Sequence, residues 1–239
     1  MHHRCIATWR TRFKADERAV LAESVSSGPK PTWRGVLHQW AAVVAFGAGA
    51  ALVVLAPDAR SRIAVGIYAA SLALLFTISA VYHRIHWDPV PRTWLRRADH
   101  ASIFLLIGGT YTPVALLALD ADIARRLLIL VWSGAALGVL VSMLWPGAPK
   151  FVGAVIAVAV GWTIVPYVGT LRRVLETSEL WLIVVGGLAY TIGALVYALK
   201  RPDPRPDHFG YHEVFHALTL VGAGTHLAAV VSILRRAAG

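Results

Sequence analysis

The chain has 239 residues, 57% of them hydrophobic and only 15% charged, with a formal charge of +10; soluble domains carry about 25% charged residues. A mean hydropathy of +0.60 over this length excludes most water-soluble globules, and the single cysteine, Cys5, excludes a disulfide scaffold or a Cys-rich zinc module. The Lys and Arg residues form no groove-like run but sit between long apolar stretches, which points to a membrane and leaves no expectation of nucleic acid as a partner.

Residues 1–33 form a first segment carrying Arg4, Arg10, Arg12, Lys14, Arg18 and Lys30, with Pro29 and Pro31 before the first apolar stretch. It lacks the apolar core of a signal peptide and is expected to be a basic, loosely ordered cytosolic tail. Residues 34–239 are expected to form one all-α, seven-helix transmembrane domain. A bilayer crossing takes about 20 residues of helix, and seven stretches qualify: 35–56, 63–85, 98–119, 127–145, 151–170, 180–199 and 211–234. Pro113, Pro166 and several glycines fall inside them; membrane helices tolerate both, and small residues permit close packing. Trp33, Trp87, Trp94, Trp145 and Trp181 lie near span ends, as an interfacial belt requires. Short loops make successive helices antiparallel.

With that topology, fifteen of the 23 Lys and Arg residues fall on the side of the N-terminus. Positively charged loops stay inside, so the expected orientation has the N-terminus cytoplasmic and the C-terminus outside, in a multi-pass bacterial plasma membrane protein.

Ionisable residues at membrane depth are costly and mark function. His83 ends the second span and Ser79 lies one helical turn before it; Asp99 starts the third; His212 and His216 start the seventh, again one turn apart. Residues four apart share a helix face, so the topology brings Ser79, His83, Asp99, His212 and His216 to one end of the bundle. Three histidines suit zinc with a coordination position left for water. Asp99 is then either a fourth ligand or a group that holds the water, and Ser79 a donor to the water or to a developing oxyanion. His38, at the start of the first span, is the one further candidate at the correct end. His100 should point about 100° away from Asp99. His226 lies too deep to share the ion and is expected to bond across helices. Glu213 faces away, towards the interface or a basic neighbour.

The stretches Ser79-Ala-Val-Tyr-His83, the run from Asp99 to Pro113, and His212-Glu-Val-Phe-His216 resemble the bacterial hemolysin III proteins. These group with the progestin and adipoQ receptors, among them the adiponectin receptors. The resemblance runs from about His38 to the end. It implies zinc held by His83, His212 and His216, a water-mediated role for Asp99, a nearby role for Ser79, and a cytoplasmic N-terminus. Related intramembrane enzymes hydrolyse ceramide amides, whereas the bacterial name comes from haemolysis. Many bacterial members approach the first span through an acidic, Asn-containing stretch; here the sequence is Trp33-Arg-Gly-Val-Leu-His38.

Three functions compete. One is a zinc-dependent hydrolase of a lipid amide or ester, with membrane lipid as its partner and a lipid amide as substrate. The second is a lipid-responsive, receptor-like membrane protein with structural zinc. The third is a pore-forming hemolysin, which the nearly continuous apolarity of the spans disfavours. No oligomeric state follows from the sequence.

Overall fold

The computed structural model describes residues 30–145 and 147–238; the basic tail falls outside the described residues, apart from its last few. Among the described residues the chain is all-helical, with seven spans long and apolar enough to cross a membrane. In chain order the helices are α1 (Val36–Leu55), α2 (Ala59–Arg84), α3 (Pro89–Ala118), α4 (Ala121–Leu144), α5 (Lys150–Gly161), α6 (Val168–Val174), α7 (Thr177–Leu199) and α8 (Tyr211–Ala238).

Most helices run beyond the apolar stretch that announced them, because polar residues outside the hydrocarbon region still cap and extend a helix. Asp58 starts α2 by accepting from the Ser61 backbone N–H at 2.9 Å. This bond, and then one from the Ser61 hydroxyl, hold the Asp58 carboxyl below its ordinary value. The cap is therefore complete above the ordinary carboxylate range and weakens as pH falls through the lowered value. Glu176 and Glu179 form a capping box on α7.

The fifth span departs from the expected single helix over 151–170. It runs over Phe151–Val174 and breaks after Gly161 into a 3₁₀ turn at Val165–Tyr167 before α6. Pro166 is the cause: it has no N–H and its ring conflicts with the preceding turn. The freed backbone groups need partners in the membrane, and Tyr111 of α3 supplies them. Its hydroxyl donates to the Gly161 carbonyl at 2.6 Å and accepts from the Ile164 N–H at 3.1 Å. Pro113, by contrast, is carried inside a continuous α3.

Successive helices pack side by side, and α8 returns to lie against α1, α2 and α3, which closes the bundle. Helices in lipid associate through close packing rather than water exclusion. A Cβ on Gly49 would meet the Ala69 Cβ at 2.8 Å, and one on Gly109 or Gly138 would overlap Ser71 or the Phe104 ring. These contacts join α1 to α2, α2 to α3 and α3 to α4. Tyr68, Val65 and Phe76 of α2 sit in a core shared with Leu52 of α1 and Val230 of α8. The outer surface carries exposed Val, Leu, Ile and Phe residues throughout, as lipid contact demands. The most apolar stretch of α2 is 61% buried and that of the fifth span only 6%, so the fifth span is an outer wall of the bundle.

Candidate metal centre

At one end of the bundle α1, α3 and α8 begin and α2 ends. The ligand nitrogens of His83, His212 and His216 all lie within 4.8 Å of one another there, and all three side chains are buried. The His83 and His212 Nε2 atoms face each other at 3.2 Å. Tetrahedral zinc with Zn–N bonds of about 2.0–2.1 Å separates its ligand nitrogens by about 3.3 Å, so this donor pair fits the ion by chemistry and by spacing. Asp99 Oδ2 stands 3.9 Å from His83 Nε2 and is not one of the three converging groups.

The other predicted residues surround this set. The Ser79 hydroxyl bonds to His38 Nδ1 at 2.8 Å and also faces the Asp99 carboxyl group. His38 is buried, and its ring stacks on that of His216 with centroids 3.7 Å apart and 10° between planes. It therefore packs behind the metal-type set instead of joining it. His100 makes its bonds outside the three-histidine group: Nδ1–H donates to the Arg96 carbonyl at 2.7 Å and Nε2 contacts the Tyr197 hydroxyl at 3.2 Å. His226 bonds across helices to the Ile183 carbonyl.

The segment that leads into α1 does more than the sequence indicated. Arg34 donates to Glu213 Oε1, and Glu213 Oε2 accepts from the Gly210 N–H at 2.9 Å. Glu213 sits between the two α8 histidines in sequence and is wholly buried, so this pair fixes the first turn of α8. Thr32 and Trp33 donate backbone bonds to Asp207 and His208 in the α7–α8 loop. Lys30 reaches the His83 and Ile85 carbonyls at 3.4 and 3.3 Å, where a cation suits a helix C-terminus. Burial first, then the neighbouring Arg92, Arg34 and Arg84, lower its amine from the usual lysine value. The sequence carried a signal for the Arg34–Glu213 pair, since a buried acid in a helix needs a cation, but it did not say which one.

Gly35 makes the approach possible. Its φ of 77° is a left-handed conformation, and a Cβ there would meet the His83 Cβ at 2.7 Å. Gly35→Ala is therefore expected to cost about 1–3 kcal/mol and to displace the His83 ring. Thermal unfolding in detergent, measured beside metal content, should show both losses.

A cavity of about 210 Å³ lies between α3, α5, α7 and α8 and reaches this end of the bundle. Ser79, Asp99, His212 and His216 line it at this end together with Arg96 and Arg97, and Tyr111 and His226 lie at its far end. At the opposite end of the bundle Glu179, also wholly buried, accepts from Ser232 and Arg236 at 2.9 Å each. The sequence placed Glu179 outside the sixth span and gave it no role; its partners come from α8 and emerge only from the packing.

Comparison with known proteins agrees with this architecture. The haemolysin-III related family matches residues 27–227. Hemolysin-3 of Bacillus cereus is 28% identical over 167 residues, covering 69% of this chain and 72% of that one. The Hemolysin-3 homolog of Bacillus subtilis strain 168 is 29% identical over 157 residues, covering 66% and 70%. The human monocyte to macrophage differentiation factor is 24% identical over 206 residues, covering 83% and 82%. Seven apolar spans, a three-histidine group that can hold a metal, and a match over most of its length place this chain in the haemolysin III-related family of multi-pass membrane proteins, within the progestin and adipoQ receptor superfamily.

Proposed function

We propose that this protein is a zinc-dependent hydrolase of lipid amides or esters, working at the histidine end of the bundle. The observation that carries the proposal is a group of three buried histidine nitrogens with a neighbouring carboxylate, of which His212, His216 and Asp99 line one long cavity. Ligand pockets are concave, mostly apolar and supplied with a few placed polar groups, and this one suits a chain of hydrocarbon with its linkage beside the histidines.

His83, His212 and His216 would hold the ion, which would supply a water nucleophile near neutral pH and polarise the substrate carbonyl. Asp99 takes the proton from the attacking water and delivers it to the leaving nitrogen or oxygen. A carboxylate only accepts hydrogen bonds, so the Ser79 O–H turns to Asp99 and His38 Nδ1–H donates to the Ser79 oxygen. Ser79 thereby holds the carboxylate in place for proton transfer. Arg96 and Arg97, on the cavity wall at the histidine end, favour lipids of negative charge. The excess of Lys and Arg on the N-terminal side puts the N-terminus and the histidine end in the cytoplasm of a plasma membrane protein.

The test is metal content followed by turnover. Protein purified in detergent without a histidine tag is expected to carry about one zinc per chain, and His212→Ala combined with His216→Ala is expected to carry none. Zinc-loaded wild type should then release fatty acid from lipid amides. Absence of zinc from wild type would overturn the proposal. Zinc present with no amide or ester consumed would favour the second function, in which the ion ties α2 to α8 and the protein responds to lipid without turning it over; the ligand set does span those two helices.

A further inference from the structure

The deep end of the cavity is lined by side chains carrying polar atoms that neither the metal centre nor the fold uses. His226 of α8 and Tyr190 of α7 both line it, and their rings stand 5.5 Å apart. Among the described residues, the buried Nδ1 of His226 and the buried hydroxyl of Tyr190 have no hydrogen-bond partner. The Tyr68 hydroxyl, close enough to act electrostatically on Tyr190, is buried and unpartnered too. Buried polar groups are nearly always paired, so a cluster of exceptions needs a cause.

These rings are seated, not loosely placed. A Cβ on Gly222 would meet the Tyr190 ring at 2.7 Å, and one on Gly186 would overlap His226. Each ring thus fits a notch that a glycine leaves in the opposite helix. The hydrogen-bonding character of the niche is also fixed. His226 Nε2 lies 3.1 Å from the Ile183 carbonyl, and a carbonyl can only accept, so Nε2 carries the proton. Nδ1 of the neutral ring is then a bare acceptor, while the Tyr190 hydroxyl can donate.

We infer that this niche recognises a hydroxyl group in the middle of a lipid hydrocarbon chain. A hydroxyl donates to His226 Nδ1 and accepts from Tyr190, whereas a keto group only accepts and a plain chain does neither. His226 lies ten residues beyond His216, about 15 Å along the helix, so the group it meets is mid-chain and not part of a headgroup lying at the histidines. Sites built to bond a hydroxyl discriminate strongly against analogues that lack it. The inference shares with the proposed function only the premise that a lipid chain enters the cavity; it needs neither zinc nor hydrolysis.

The experiment compares binding of radiolabelled ricinoleate, which carries a mid-chain hydroxyl, with oleate, which does not, and with the corresponding keto acid, using the full chain in detergent. Wild type is expected to bind ricinoleate about 10- to 100-fold more tightly than oleate, the worth of its two buried hydrogen bonds, with the keto acid, which keeps only the bond from Tyr190, in between. Tyr190→Phe removes only the hydroxyl and should shrink the preference while leaving oleate binding unchanged, which also shows that the variant is folded. Equal binding of ricinoleate and oleate by wild type would overturn the inference and mean that water satisfies the niche. A keto acid that binds as well as ricinoleate, or a full preference kept by Tyr190→Phe, would overturn it too. If none of the acids binds, the shared premise fails and the proposed function loses its substrate site as well; oleate bound without preference sinks this inference alone.

Discussion

In the proposed zinc hydrolase, Asp99→Asn is expected to keep the metal and lose turnover, by about 10²- to 10⁴-fold in kcat. The substitution preserves shape and most hydrogen bonding but removes the ability to take a proton. Asp99 stands 3.9 Å from His83 Nε2, apart from the three converging nitrogens, so three histidine donors remain without it. The effect should fall on kcat with KM little changed, the pattern of an interaction made only in the transition state. Two measurements decide the outcome: metal content by mass spectrometry and fatty-acid release from a lipid amide. Loss of zinc together with activity would make Asp99 a ligand, and retention of full activity would remove it from the chemistry.

Arg34→Ala is expected to destabilise the protein by about 3–5 kcal/mol, because it strands the carboxylate of Glu213 in the interior without its cation. Glu213 has 1% of its side chain exposed and Arg34 22%. The pair on α4, Arg125 with Asp122, has 71% and 78% exposed, and breaking it should cost less than about 1 kcal/mol. Arg34 also steadies the turn that carries His212 and His216, so its loss should weaken metal retention. The thermal midpoint in detergent and the zinc content after dialysis against a chelator give the two readouts. Combining Arg34→Ala with Glu213→Gln should recover much of the stability, since the stranded charge is then gone. An Arg34→Ala protein as stable as wild type would show that Gly210 alone is enough for the Glu213 carboxylate.

The family resemblance and the metal-type set were both legible in the sequence, and for a physical reason. Spans must be long and apolar to cross a bilayer, so hydropathy finds them. Helical periodicity then places Ser79 with His83, and His212 with His216, on single faces. Alternating direction brings those faces and Asp99 to one end, and the structure holds the three histidine nitrogens together there. Glu213 turning to a basic neighbour and His226 bonding across helices were readable on the same grounds.

Contacts between segments distant in the chain were not legible. Hydropathy marked a proline in the fifth span but did not say that Tyr111, more than fifty residues earlier, would satisfy a break there. The sequence brought Ser79 and Asp99 to one end of the bundle but did not show His38 holding the Ser79 hydroxyl while stacked on His216. It left the residues around Gly35 as a departure from the family's pattern, where packing joins Arg34 to Glu213 and presses Gly35 onto His83. The bilayer's demand for apolar length and the 3.6-residue turn act locally and are written along the chain. Which buried polar atom meets which partner, and which meets none, depends on helices that touch only after they pack, and so the pairing of Arg34 and the unpaired niche of His226 and Tyr190 were decided by the tertiary structure.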